Sequence, residues 1–169
     1  GRYYALNDGL PLDIADAIED HYKPRFSGDD LPRNTVGLVV ALADKLETLI
    51  GMFGIGNLPT GDKDPFALRR HALGVIRMLV EKELPLDLNQ LLDSAFELMK
   101  RIEASGPMPS QLPKGTHGIA SALFSLDTNT PTLLADFMYD RFAGSLREQG
   151  YSAQEVDAVM ALRPGRLSQ

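Results

Sequence analysis

The chain has 169 residues, 44% of them hydrophobic, a formal charge of −6 and no cysteine. That size suits one compact domain, or one domain with an appendage, burying roughly two-thirds of its extended-chain surface. The missing thiols exclude disulfides and Cys-ligated zinc. The acidic balance argues against whole-surface attraction to nucleic acid, and no apolar run approaches the roughly 18 residues of a membrane span, so a soluble chain is expected.

In chain order, "PLDIADAIEDHY" opens with proline and acids and spaces Ile14, Ala17, Ile18 and His21 at i, i+3, i+4, i+7, which predicts an amphipathic helix with His21 on its apolar side. The charged, proline-bearing stretch "HYKPRFSGDDLP" follows as a corner: its prolines stiffen the backbone, Gly28 permits a turn, and Asp29 and Asp30 can accept from exposed amides. A long helix is predicted from about Asn34 to Phe53, with Val36, Val39, Val40, Ala43, Leu46, Ile50 and Phe53 on one buried stripe. Gly37, Asp44 and Gly51 recur every seven residues beside that stripe, where another backbone could approach closely.

The next helix is predicted to begin at "DPFALRR", with Asp64 as N-cap and Pro65 at the first helical position. Leu68, Ala72, Val75, Ile76 and Leu79 then face inward, with Arg70 and Arg77 opposite. "LDLNQLLDSAFELMKRI" reads as a fourth helix, ended by the loop or domain seam "SGPMPSQLP". "HGIASALFSL" reads as a short helix. A longer helix starts at Thr130 or Pro131, and "SAQEVDAVMAL" is a last helix capped by Ser152. No strand alternation, internal repeat or low-complexity tract is present. The fold class is therefore all-α: a helical bundle over 1–104, with 105–169 as a linker and C-terminal helical extension. The start at Gly1 rather than Met and the ending "RPGRLSQ" suggest a piece of a longer protein.

Motifs for catalysis are sparse. "GMFGIG" lacks the GxGxxG order and a preceding strand, so it reads as a turn after a long helix. His21, His71 and His117 are far apart, and none begins a metal-ligand pair at i, i+3 or i+4. Charge is uneven, however. Residues 1–50 are acidic, while from Asp62 to Lys82 the balance reverses, with Lys63, Arg69, Arg70, Arg77 and Lys82 against Asp62, Asp64 and Glu81. In "PTGDKDPFALRR" a loop feeding a helix start offers free amides near Lys63, Arg69 and Arg70, so it reads either as a phosphate seat or as a capped helix whose acids pair with those cations. Lys23 and Arg25 read either as solvated charges or as further phosphate contacts.

The order "AIEDHYKPRFSGDDLP…VVALADKLETL" resembles the later half of an HD-superfamily helical domain, with His21 and Asp44 as remnants of its metal site. Metal-dependent phosphohydrolases of that class need a His-Asp dipeptide, which this chain lacks, so Asp44 reads as a packing residue or as one ligand of an incomplete set. Taken together, "YYALNDG", that segment, "VALADKLETLIGMFGIGNLPTGDKDPFALRRHALGVIRML" and "DFMYDRFAGSLREQGYSAQEVDAVMALRP" closely resemble the β subunit of bacterial heterotetrameric glycyl-tRNA synthetase.

The resemblance implies a piece from the middle to later part of that subunit, covering a degenerate HD-like domain and the helical segment leading toward an anticodon-binding domain. It implies a cytoplasmic tRNA-holding and scaffold role within an α2β2 glycine–tRNA ligase, with tRNA(Gly) and the α subunit as partners. It also implies no metal or cofactor in this piece, since glycine activation with ATP and Mg belongs to the α subunit. The alternative function is a metal-dependent HD phosphohydrolase.

Overall fold

The computed structural model describes residues 1–105 and 126–168. Among them lie seven helices and no β-strand: α1 (Arg2–Asn7), α2 (Leu12–Asp20), α3 (Thr35–Gly54), α4 (Leu68–Glu81), α5 (Leu88–Ser105), α6 (Thr130–Glu148) and α7 (Ala153–Leu162). The chain is all-α. The expected short helix at 117–126 and His117 lie outside the described residues, apart from Leu126.

α3 is the hub, packing against α2, α4, α5 and α6. Its start is fixed by Asn34, whose side chain accepts from the Gly37 amide at 2.8 Å. Its buried stripe is Leu38, Ala41, Leu42, Leu46, Leu49, Ile50 and Phe53. The sequence-derived stripe is right in its second half and shifted in its first: Val39 is 59% exposed, and Val36, Val40 and Ala43 also face solvent. The reason is the close crossing of α2. A Cβ on Gly37 would stand 3.2 Å from the Asp20 Cβ, so the face that must turn toward α2 is the glycine face, and this rotates the valines outward. Among the described residues, a Cβ on Gly51 would meet only the end of Met99, at 3.6 Å.

α2 departs from expectation for the same reason. Ala15, Ala17 and Asp20 are buried, whereas Ile14 is exposed and His21, the C-cap, is half-buried. Small side chains are what a tight helix crossing admits.

In α4 the expected inward residues, Leu68, Ala72, Val75, Ile76 and Leu79, are all buried. The sequence leaves open whether residues 105–169 pack on the bundle. α6 joins the same core through Leu134, Met138, Tyr139 and Phe142, and Leu167 returns to it after α7. The Tyr139 hydroxyl donates to the Pro164 carbonyl at 3.1 Å, and the Leu88 amide donates to the Gly165 carbonyl at 2.7 Å, so the tail caps the start of α5. Ser152 caps α7 in a reciprocal box with Glu155, as its sequence position suggests.

Candidate nucleic-acid interface

The loop before α4 and the first turn of that helix carry three of the five candidate cations, Lys63 on the loop and Arg69 and Arg70 on the helix. Thr60 and Lys63 exchange backbone hydrogen bonds at 2.8 and 3.1 Å, closing a tight turn. The helix then begins at Leu68, three residues later than expected, after Ala67 in the left-handed region (φ 54°). Asp64 still caps it. Its carboxylate accepts from the Leu68 amide at 2.7 Å and the Arg69 amide at 2.9 Å. Those amides are therefore already satisfied, and an incoming phosphate would have to compete with a carboxylate for them. Arg69 is half-buried and donates to the Gly61 carbonyl at 2.5 Å. Lys63 and Arg70 are exposed and have no ion pair among the described residues.

Lys23 and Arg25 sit on the loop after α2 and are bound to their own fold. The Lys23 ammonium lies 3.2 Å from Asp20. Asp20 is fully buried and also accepts from the Arg33 amide at 2.8 Å and from Arg33 Nε and Nη2 at 2.9 Å. Burial alone would raise its pKa, but the hydrogen bonds from Arg33 and Lys23 outweigh that and hold it at about 2. Arg25 grips Asp29 with its amide (2.8 Å), Nε (2.9 Å) and Nη2 (3.0 Å), which keeps the Asp29 carboxyl below the usual carboxylate range. Arg77 on α4 closes the arrangement by donating to the Asp29 carbonyl at 3.0 Å and pairing with Glu81 at 2.6 Å.

His21 and Asp44 meet a different polar cluster. His21 Nδ1 donates to the Ile18 carbonyl at 3.0 Å, and its ring lies 3.8 Å from that of Tyr22. Asp44 is half-buried on α3. Next to it Lys45 is only 2% exposed, with Nζ donating to the carbonyls of His21 (3.3 Å) and Tyr22 (3.4 Å). Burial pushes the Lys45 pKa down, and Asp44 opposes that shift. The His71 pKa is lowered by burial and by Lys45, with Asp44 again opposing, and its Nδ1 is buried without a hydrogen-bond partner among the described residues. Gly74 makes room for the lysine: a Cβ there would stand 2.9 Å from Lys45 Cε. No group of three or more His, Asp or Glu among the described residues could hold a metal ion. What Lys45 does is hold a loop, by supplying donors to two carbonyls that no helix satisfies.

Sequence reasoning passes over Lys45 and Arg33, and reads Arg77 only as a cation on the outer face of α4. Lys45 is legible in principle, since it stands four residues from both Ala41 and Leu49 on the stripe that is actually buried. Arg33 carries no local signal, because its carboxylate partner Asp20 lies 13 residues away, and the tie from Arg77 to the Asp29 carbonyl spans 48 residues, although its pairing with Glu81 is an i, i+4 contact.

The described residues thus form an all-helical module whose buried charges lock its loops and whose free cations flank the start of α4. The chain belongs to the glycyl-tRNA synthetase beta subunit family, whose model matches residues 1–161. It is 68% identical over 169 residues to the glycine–tRNA ligase beta subunit of Paracidovorax citrulli. The corresponding beta subunits of Delftia acidovorans and Dechloromonas aromatica are 64% identical over 169 residues and 60% identical over 167. Each match covers 99% of this chain and 20% of the relative, so the chain spans about a fifth of the length of these curated relatives.

Proposed function

We propose that this chain is a non-catalytic, tRNA-holding and scaffold portion of a glycyl-tRNA synthetase β subunit, supporting the ATP-dependent attachment of glycine to tRNA(Gly) in the cytoplasm. The observation that carries the reading is the family match over residues 1–161. In this reading residues 1–104 correspond to an HD-like helical domain, and 105–169 to the segment leading toward an anticodon-binding domain. An α subunit, in an α2β2 assembly, supplies glycine activation with ATP and Mg. His21 and Asp44 are structural remnants: the one stacks on Tyr22 and the other balances Lys45.

Lys63 and Arg70 are the best phosphate contacts of the five candidates, because among the described residues no carboxylate pairs with them. Arg69 positions the loop through Gly61. Lys23 and Arg25 are chiefly ties within their own loop. In the assembled synthetase, the double substitution Lys63→Glu, Arg70→Glu should weaken tRNA binding and flatten its salt dependence by about one unit of slope for each phosphate that is no longer neutralised. Unchanged affinity and slope in the folded variant would assign these cations to the fold or to a subunit interface.

A further inference from the structure

We propose that the loop from His21 to Asp29 is a stacking seat for an unpaired nucleotide of RNA, in which the rings of Tyr22 and Phe26 receive the base and Arg25 meets its phosphate. This rests on the tRNA-holding reading and adds to it a second binding region of different chemistry from Lys63 and Arg70.

Tyr22 is 63% exposed and Phe26 58% exposed, yet the backbone between them is tied down from several sides. The carbonyls of His21 and Tyr22 accept from the buried Lys45, the Lys23 amide donates to the Asp20 carbonyl at 2.8 Å, and Pro24 is buried beside Gly74. Arg25 and Arg77 fix Asp29 at the loop's end. Burying an ammonium is costly, and here it immobilises a loop whose most prominent side chains point away from the core. The rings are held in water by a rigid support, which is how a binding surface avoids losing freedom when its ligand arrives.

The surroundings of the rings match a base and its phosphate. His21 backs the ring of Tyr22 at 3.8 Å, and its own Nδ1 is anchored to Ile18. The Arg25 guanidinium stands 5.7 Å from the centre of the Phe26 ring. That guanidinium uses Nε and Nη2 on Asp29, and its Nη1 has no hydrogen bond or ion pair among the described residues. Beside the loop opens a polar groove of about 700 Å³ where Lys23, Arg33, Arg77 and the exposed Lys82 stand among Asp29, Asp30 and Glu81. Aromatic rings flanked by cations recognise bases that are out of the helical stack, because a paired duplex keeps its base faces covered.

The test uses the assembled synthetase with Tyr22→Leu, Phe26→Leu and Tyr22→Phe, variants of exposed side chains that leave the core untouched. Each leucine variant should weaken tRNA binding by roughly tenfold, in the range that removing one base–aromatic stack produces, without altering the salt slope, and Tyr22→Phe should bind as wild type. A short single-stranded oligoribonucleotide should compete with tRNA for the wild type and lose that ability with Tyr22→Leu, whereas a duplex of equal length should compete poorly with either. Unchanged tRNA affinity in both leucine variants overturns the proposal, and so does a duplex that competes as well as the single strand. If Lys63→Glu, Arg70→Glu still weakens binding in that case, the tRNA-holding reading stands without this seat; if neither region matters, the reading itself fails. Loss of α-subunit association with tRNA affinity intact would overturn the proposal and assign the loop to a protein interface.

Discussion

Substituting Asp20 by Asn tests whether the corner between α2 and α3 is held by charge or merely by shape. Asp20 is fully buried and takes three hydrogen bonds from Arg33 and an ion pair from Lys23. Its carboxyl is held at about 2, against an ordinary value of 3.8. Each pKa unit corresponds to roughly 1.4 kcal/mol, so the difference amounts to about 2 kcal/mol, and water around the 41% exposed Arg33 side chain reduces it toward about 1–2 kcal/mol. Because the folded value lies below the unfolded one, this stability is fully present above about pH 4 and is lost as pH falls through about 2.

Urea unfolding of the 169-residue chain at pH 7 should therefore show Asp20→Asn less stable by about 1–3 kcal/mol, the upper part reflecting a guanidinium left with a weaker acceptor. Repeated from about pH 5 down to about 2.5, the same measurement should show a shallower acid loss in the variant than in wild type. An Asp20→Asn chain as stable as wild type at pH 7, with an unchanged acid slope, would refute the charge-held corner.

Two further substitutions probe the register of α3. Ala41→Asp places a carboxylate where exposure is 0% and should unfold the chain, since an unpaired buried charge costs several kcal/mol against a total of about 5–15. Val40→Asp, one residue earlier and on the solvent face, should shift stability to urea only slightly, by about 0.5 kcal/mol or less. At the other end of the molecule, Ser152→Ala removes one half of the capping box and should cost about 1 kcal/mol. Hydrogen exchange should show that change as faster exchange of amides at the start of α7, with α3 and α4 unaffected.

The helices are legible where apolar spacing and caps agree. α4 shows this on its buried face, as does α7 through Ser152. The start of α4 is hidden because Asp64 caps from four residues before the helix, across an Ala67 in the left-handed region, a geometry with no spacing signature. The first half of the α3 stripe is ambiguous in sequence because an all-apolar helix has more than one plausible face, and the choice is made by the approach of α2 to Gly37. The candidate interface is legible as a set of charges but not as a hierarchy. All four cations have acids close in sequence, and only the folded loops show that Lys23 and Arg25 are paired with Asp20 and Asp29, three and four residues away, while Lys63 and Arg70 have no ion pair among the described residues. The exposure of Tyr22 and Phe26 has no signal either, since an aromatic in a proline-rich corner is as readily a buried plug as a surface ring.

The central claim, that this chain holds tRNA and does not make bonds, is tested most directly by separating the two steps of the reaction in the assembled synthetase carrying Lys63→Glu, Arg70→Glu. Glycyl-adenylate formation is expected at the wild-type rate, measured by glycine-dependent pyrophosphate exchange, together with slower charging of tRNA(Gly) that recovers as the tRNA concentration is raised. A folded variant that loses adenylate formation, or one that charges tRNA at the wild-type rate at low tRNA concentration, would contradict it.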